Sequence, residues 1–240
     1  MRAEIGRILT NRSIWLIALI GIALTAGLAA TFWISRDVTS QDQAHQISDT
    51  VLPGCLVMYS LVCMIIGGLA VTRDYRWSWM GRMSRPVPGK TGVLAAKSAA
   101  VAVFSCVSGI VSILLCLIIV LAGAPDGYRL ETTESLWKIA AGALLCCPLT
   151  GVMGVGIGFM LRNWLVVILV IIAVLFGTAP LDETTAGQYL SWDSIAASLT
   201  LDPSISLKLP FWGALLDSIG LCVVLCAGAW LVMTLRESTT

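Results

Sequence analysis

The chain has 240 residues, of which 58% are hydrophobic and only 12% charged, with a mean hydropathy of +0.90. Soluble domains carry about 25% charged residues, so this composition excludes an ordinary soluble domain and a disordered tail. A formal net charge of +1 supplies no basic field of the kind a nucleic-acid binder needs.

At about 20 residues per crossing, the length holds six membrane spans with short connections. The chain therefore reads as an all-α polytopic membrane protein, one domain over residues 1–240. Apolar runs place the spans at Ile14–Ile34, Val51–Val71, Val93–Gly123, Leu136–Leu161, Trp164–Pro180 and Phe211–Leu235. The first is longer than the apolar core of a signal peptide and is expected to stay as a span. The third run is long enough to require tilt or extension past the bilayer. Only Arg162 and Asn163 separate the fourth run from the fifth, and their combined length is too great for a single crossing.

Charge sets the orientation. With the N-terminus inside, the inner segments hold Arg2, Arg7, Arg12, Arg73, Arg76, Arg82, Arg85, Lys90, Lys97, Arg162 and Arg236, which is 11 of the 15 basic residues. Only Glu4, Asp74 and Glu237 among the acids fall there. The positive-inside rule then puts both termini in the cytoplasm, in agreement with an even number of spans.

Candidate chemistry inside the spans is sparse. All eight cysteines fall in predicted spans, with no C-x-x-C pair, and the only histidine, His45, lies in the first outer loop. They read as small apolar fillers of helix contacts rather than as a redox or metal site. Ser105, Ser108 and Ser112 have no intramembrane base beside them, which argues against an intramembrane hydrolase. Gly151, Gly154, Gly156 and Gly158 sit within a span and form no phosphate loop. No Walker pattern occurs in the chain, so it is expected not to hydrolyse nucleotides and to hold no cofactor or metal of its own. Gly154 and Gly158 make a G-x-x-x-G pair, which suits either a dimer seam or packing within the chain. Asp217 is the one acid in a span. Two readings stay open for it: lining of an outer cavity, or contact with headgroups and water.

The inner connection between spans two and three, residues 73–89, is the most informative segment. As a helix it aligns Tyr75, Trp79 and Met83 at i, i+4, i+8, with Arg73, Arg76, Arg82 and Arg85 on other faces, before Pro86 and Pro88 end it. Trp, Tyr, Met and Arg favour protein interfaces. The same pattern also suits a helix resting among anionic headgroups, and the pattern alone does not choose between the two.

Asp74-Tyr75-Arg76, the turn Ser84-Arg85-Pro86-Val87-Pro88 and the lysine of Ala95-Ala96-Lys97 together resemble the first cytoplasmic loop of type-2 ATP-binding-cassette exporter permeases. Asp74 stands where that family more often has Glu, and Ser78-Trp79 where Gly-Thr is common. The resemblance continues through Arg2–Arg12, the glycines and Arg162-Asn163 at the junction of spans four and five, and Gly228–Glu237 at the closing span. It implies that residues 1–13 are an interfacial entry helix with Ile5, Ile8 and Leu9 as its apolar face. It implies that the loop is a coupling helix. Asp74, Tyr75, Arg76, Trp79, Arg82, Met83 and Arg85 would then form the docking surface for an ATPase. It also implies two separate ATPase subunits that bind ATP and Mg, a second permease chain (identical or related), and residency in a bacterial cytoplasmic membrane. Residues 181–210 would be re-entrant helices capping the outer end of the pathway. With few polar groups in the spans, the cargo is expected to be hydrophobic or amphipathic: a peptide, drug or lipid. The alternative is a non-transporting membrane scaffold that docks a cytoplasmic partner through the same loop.

The orientation is open to direct test. In a variant lacking the eight native cysteines, a cysteine at Thr133 or Thr185 is expected to react with an impermeant reagent on intact cells. One at Ser84 should react only after lysis, and labelling of Ser84 in intact cells would invert the topology.

Overall fold

The computed structural model describes residues 6, 8, 10–34, 41–76, 89–123, 133–178 and 211–237. Among them are six long helices and no strand. These are α1 (Arg12–Ile34), α2 (Gln41–Arg76), α3 (Gly89–Gly123), α4 (Thr133–Leu161), α5 (Trp164–Thr178) and α6 (Phe211–Glu237). The loop residues 77–88, the outer segment 181–210 and most of the N-terminal stretch 1–13 lie outside the described residues.

Five of the helices, all but α5, are long and apolar enough to cross a membrane. Helix α5 has 15 residues, about 22 Å at 1.5 Å per residue, which is short of the roughly 30 Å hydrocarbon core. Apolar side chains cover the outer faces: Leu19 is 60% exposed, Leu216 69% and Val224 66%. That surface suits lipid, not water.

All the helices but α5 outrun the apolar runs that predicted them. Helix α2 has 36 residues, about 54 Å, and begins ten residues before the expected span. Backbone hydrogen bonds within a helix are satisfied in water and lipid alike, so apolar length marks only the part in the membrane. The C-terminal end matters more. Residues 73–76, which the sequence reading assigns to the loop, belong to the last turn of α2.

The fourth and fifth elements are separate, as their combined length requires. Arg162 adopts φ 56°, a left-handed conformation in which its N–H donates to Gly158 O at 3.0 Å and closes α4. Asn163 Oδ1 then accepts from Leu165 N at 3.1 Å and caps α5.

Helices α2 and α4 form the most extensive interface and occupy the middle of the bundle. In the most apolar stretch of α2, 67% is buried, against 22% for α6. Lipid tails are as apolar as leucine, so helices in a bilayer associate through close packing and hydrogen bonds instead of hydrophobic expulsion. Glycine supplies the closeness. A Cβ on Gly154 would fall on the Met64 carbonyl, and one on Gly67 would fall on the carbonyl of Gly151. A Cβ on Gly158 would stand 2.8 Å from Gly68 O. The G-x-x-x-G pair is therefore packed within the chain, against the Gly67-Gly68 pair of α2. The other faces of α4 use the same device. Gly151 meets Ser105 of α3, and Gly156 meets Leu225 of α6.

Polar groups in the spans are mostly satisfied close to home. Thr150 Oγ1 donates to Cys146 O and Cys147 O, both at 2.9 Å. Thr25 shares a 2.9 Å bond with Ser112 across α1 and α3. Six of the eight cysteines are buried and serve as small contact residues. Cys147 rests against Gly109, and Cys222 Sγ donates to Leu149 O at 3.3 Å. The rings of Trp15 and Phe104 meet edge to face, with centroids 5.4 Å apart at 87°, adding an aromatic contact between α1 and α3.

Glycine substitutions separate packing from propensity. Gly154→Ala forces α2 and α4 apart and is expected to cost about 2 kcal/mol or more. Gly220→Ala on α6 meets nothing within 4 Å and should be neutral or stabilising by up to about 1 kcal/mol. Thermal unfolding of both variants in one detergent checks the ranking.

Candidate functional site

The chemistry-bearing side chains gather where α1 begins, α2 ends, α3 begins and α5 begins. The sequence reading places this end in the cytoplasm. Asn11 organises the start of α1: its Oδ1 accepts from Ser13 N at 3.2 Å, and its carbonyl accepts from Ile14 N at 3.1 Å. This is an N-cap.

Two consecutive residues at the foot of α2 then reach in different directions. Successive side chains on a helix diverge by about 100°, so Arg73 and Asp74 serve different neighbours. Arg73 Nη1 donates to the cap oxygen of Asn11 and to Ser13 Oγ, the latter at 3.2 Å. This ties α2 to α1. Asp74 Oδ2 pairs with Lys97 Nζ of α3. Lys97 also donates to Ala70 O at 3.1 Å, so one ammonium binds both a carboxylate and a backbone carbonyl of α2.

The pair is unequally buried, with side-chain exposures of 5% for Lys97 and 22% for Asp74. An ammonium buried to that degree needs a partner. Asp74 gains as well, because a lone carboxylate is disfavoured at the negative C-terminal end of a helix dipole. The result is a fastening of α2 to α1 on one side and to α3 on the other, one residue apart in sequence. It lies immediately before the loop.

The sequence-predicted site residues fare unequally. Asp74 is fully described, with its partners. Tyr75 and Arg76 belong to the last helical turn of α2, and their side chains lie outside the described residues. Trp79, Arg82, Met83 and Arg85 lie outside them altogether. Asp217 is in the second turn of α6, near the opposite end of the bundle from Asp74. It is half-buried, and its Oδ2 has no hydrogen-bond partner among the described residues. The fold does not bring it to the Asp74 group.

Asn11 and Ser13 were not singled out by sequence, Arg73 was placed only on a face of the loop helix, and Lys97 was matched only as a motif residue. The available signal was an acid in the last turn of one span and a lysine about one turn inside the next. No group of three or more His, Cys, Asp or Glu side chains able to hold a metal occurs among the described residues. No protein-family model matches the chain, and comparison with curated proteins finds no significant relative.

Removing one partner of the ion pair should be worse than removing both. Asp74→Asn leaves Lys97 buried without its carboxylate. The expected loss is about 1–3 kcal/mol, smaller than for a fully enclosed pair because Asp74 is 22% exposed. Adding Lys97→Met should recover part of it. A double-mutant cycle by thermal unfolding is expected to give a coupling of about 1 kcal/mol or more, and strict additivity would mean the two groups do not interact.

Proposed function

We propose that this chain is the membrane permease subunit of an ATP-driven exporter of the type-2 ATP-binding-cassette class. The observation that carries the reading is the fastening at the foot of α2. The acid that precedes the loop and the lysine that opens the next span were quoted as parts of one loop motif, and they pair with one another. A loop that receives force from an ATPase is useful only if its ends are rigidly tied to the spans. Here the loop leaves α2 two residues after Asp74 and rejoins the chain at Gly89, eight residues before Lys97. Arg73 extends the tie to α1. Movement imposed on residues 77–88 would therefore pass to α1, α2 and α3 together.

The rest of the mechanism follows from this reading. Two ATPase subunits, holding ATP and Mg, dock on the loop helix through Tyr75, Arg76, Trp79, Arg82, Met83 and Arg85. Two permease chains of six spans each enclose a pathway between them. ATP-driven closure of the ATPases tilts the spans and carries a hydrophobic or amphipathic cargo outward across the cytoplasmic membrane. Asp217, near the outer end, would be the polar group that cargo meets on leaving.

In this reading Trp79 is a buried anchor in the ATPase. Truncating such an anchor costs about 2 kcal/mol or more, a loss of roughly thirty-fold in affinity. Trp79→Ala is expected to lose the ATPase that co-purifies with the unaltered chain, while still inserting and unfolding at the same temperature. Asp74→Asn is expected to keep the ATPase but uncouple hydrolysis from transport. The permease alone should hydrolyse no ATP. Failure of any ATPase to co-purify with the unaltered chain, or unchanged co-purification and transport in Trp79→Ala, would refute the proposal.

A further inference from the structure

On the side of α2 away from Lys97, a cleft of about 500 Å³ opens between α1, α2 and α5. That volume is in the range of sites that enclose most of a small ligand. Its inner wall is aliphatic: Ile14 and Ile17 of α1, Ile65 and Leu69 of α2, and Ile168 of α5. Its mouth is polar and basic. Arg73, Ser13 and Asn11 stand there beside Trp164, an aromatic of the kind that settles at the membrane–water interface. Among the described residues, none of those that line it is acidic.

Two observations point to an occupant. Among the described residues, Arg73 makes its contacts, with Asn11 and Ser13, through Nη1. A guanidinium carries five N–H donors in a planar fork, so Nε and Nη2 remain for a further acceptor. Thr72 also lines the cleft. It is only 3% exposed, and its Oγ1 has no hydrogen-bond partner among the described residues. Threonines inside helices usually donate back to a carbonyl three or four residues earlier, as Thr25 and Thr150 do, but Thr72 does not. A buried hydroxyl without a partner is costly in an apolar setting and is relieved by a ligand oxygen.

We propose that this cleft binds one anionic phospholipid of the adjoining leaflet. The headgroup phosphate accepts from the Arg73 fork, a geometry that phosphate matches bidentately. On a turn about χ1, the Thr72 hydroxyl, whose oxygen is otherwise shielded from the cleft, donates to a phosphate or ester oxygen. An acyl chain runs along Ile14, Ile65 and Ile168. Arg73 at the mouth, with no acid among the described lining residues, favours a net negative headgroup. The lipid would wedge α5 to α1 at the end where Arg73 already fastens α1 to α2. This inference does not depend on the transport reading.

Native mass spectrometry of the full chain, delipidated in detergent and titrated with phosphatidylglycerol, tests it. One tightly held lipid is expected, with diacylglycerol binding much more weakly. Arg73→Gln should weaken phosphatidylglycerol binding roughly ten-fold, the loss expected of one charge-assisted hydrogen bond, and Arg73→Lys should restore part of it. Ile168→Trp, which fills the aliphatic wall, should also displace the lipid. Thr72→Val gives an opposite-signed signature. It removes the unpartnered hydroxyl, so it should raise the unfolding temperature of the delipidated chain while reducing the gain that phosphatidylglycerol confers. If Arg73→Gln fails to fold, Thr72→Val and Ile168→Trp still decide the matter. Equal binding by unaltered, Thr72→Val and Ile168→Trp chains would overturn the proposal. Displacement of the lipid by glycerol phosphate would reassign the site to a soluble anion. A lipid-free dimer that forms on delipidation and is abolished by Ile168→Trp would reassign it to a second copy of the chain.

Discussion

The contact of α2 with α4, backbone against backbone, is the constraint on which the rest of the bundle depends. In a bilayer there is no hydrophobic gain from pressing one apolar helix against another, so affinity has to come from distance. Met64, Gly67 and Gly68 on one helix and Gly151, Gly154 and Gly158 on the other leave no room for a single added carbon. Once these two helices are fixed, α1 and α3 pack on α2, α6 packs on α4, and α5 lies across the α2 side of the pair. The largest fully buried side chains, Tyr59 and Phe159, come from the same two helices.

The foot of α2 adds a directional hold to that rigid centre. A helix packed through glycine is stiff along its length but has no directional hold at its end. Arg73 and Asp74 provide that hold, through donors and acceptors that point to α1 and α3 respectively. Both ties lie within one turn of the point where the chain leaves the helix. The fastening and the glycine seam thus act on the same element, one setting where α2 is and the other setting which neighbours move with it.

The same geometry produces the cleft beside Trp164. Arg73 turns toward α1, while Gly68 allows Val167 of α5 to approach α2 closely one turn higher. Between the two, the helices splay and leave an aliphatic trough with a cationic rim. A site that accepts an amphiphile by its phosphate and its chain is chemically akin to the hydrophobic or amphipathic cargo proposed for the pathway. It stands apart from Asp217, which belongs to the other end of the bundle.

Sequence alone determined the class, the helices and their order. Apolar runs of about 20 residues have few physical outlets, so the starts of α1 and α5 and the ends of α3 and α4 fall within a residue or two of where hydropathy places them. It also marked Asp74 and Lys97 as parts of one loop motif. It could not show that they bind one another, because residues 23 apart carry no record of which face each helix presents. Nor could it choose between a dimer seam and an internal contact for Gly154 and Gly158, since small residues permit close approach to any partner. The length of α2 beyond its apolar core was invisible too, because a helix satisfies its own backbone in water and lipid alike. Those outcomes were decided only by tertiary structure. The rotation of α2 about its own axis sends Gly67 and Gly68 to α4, Arg73 to α1 and Asp74 to α3, and that rotation is set by packing against three neighbours at once.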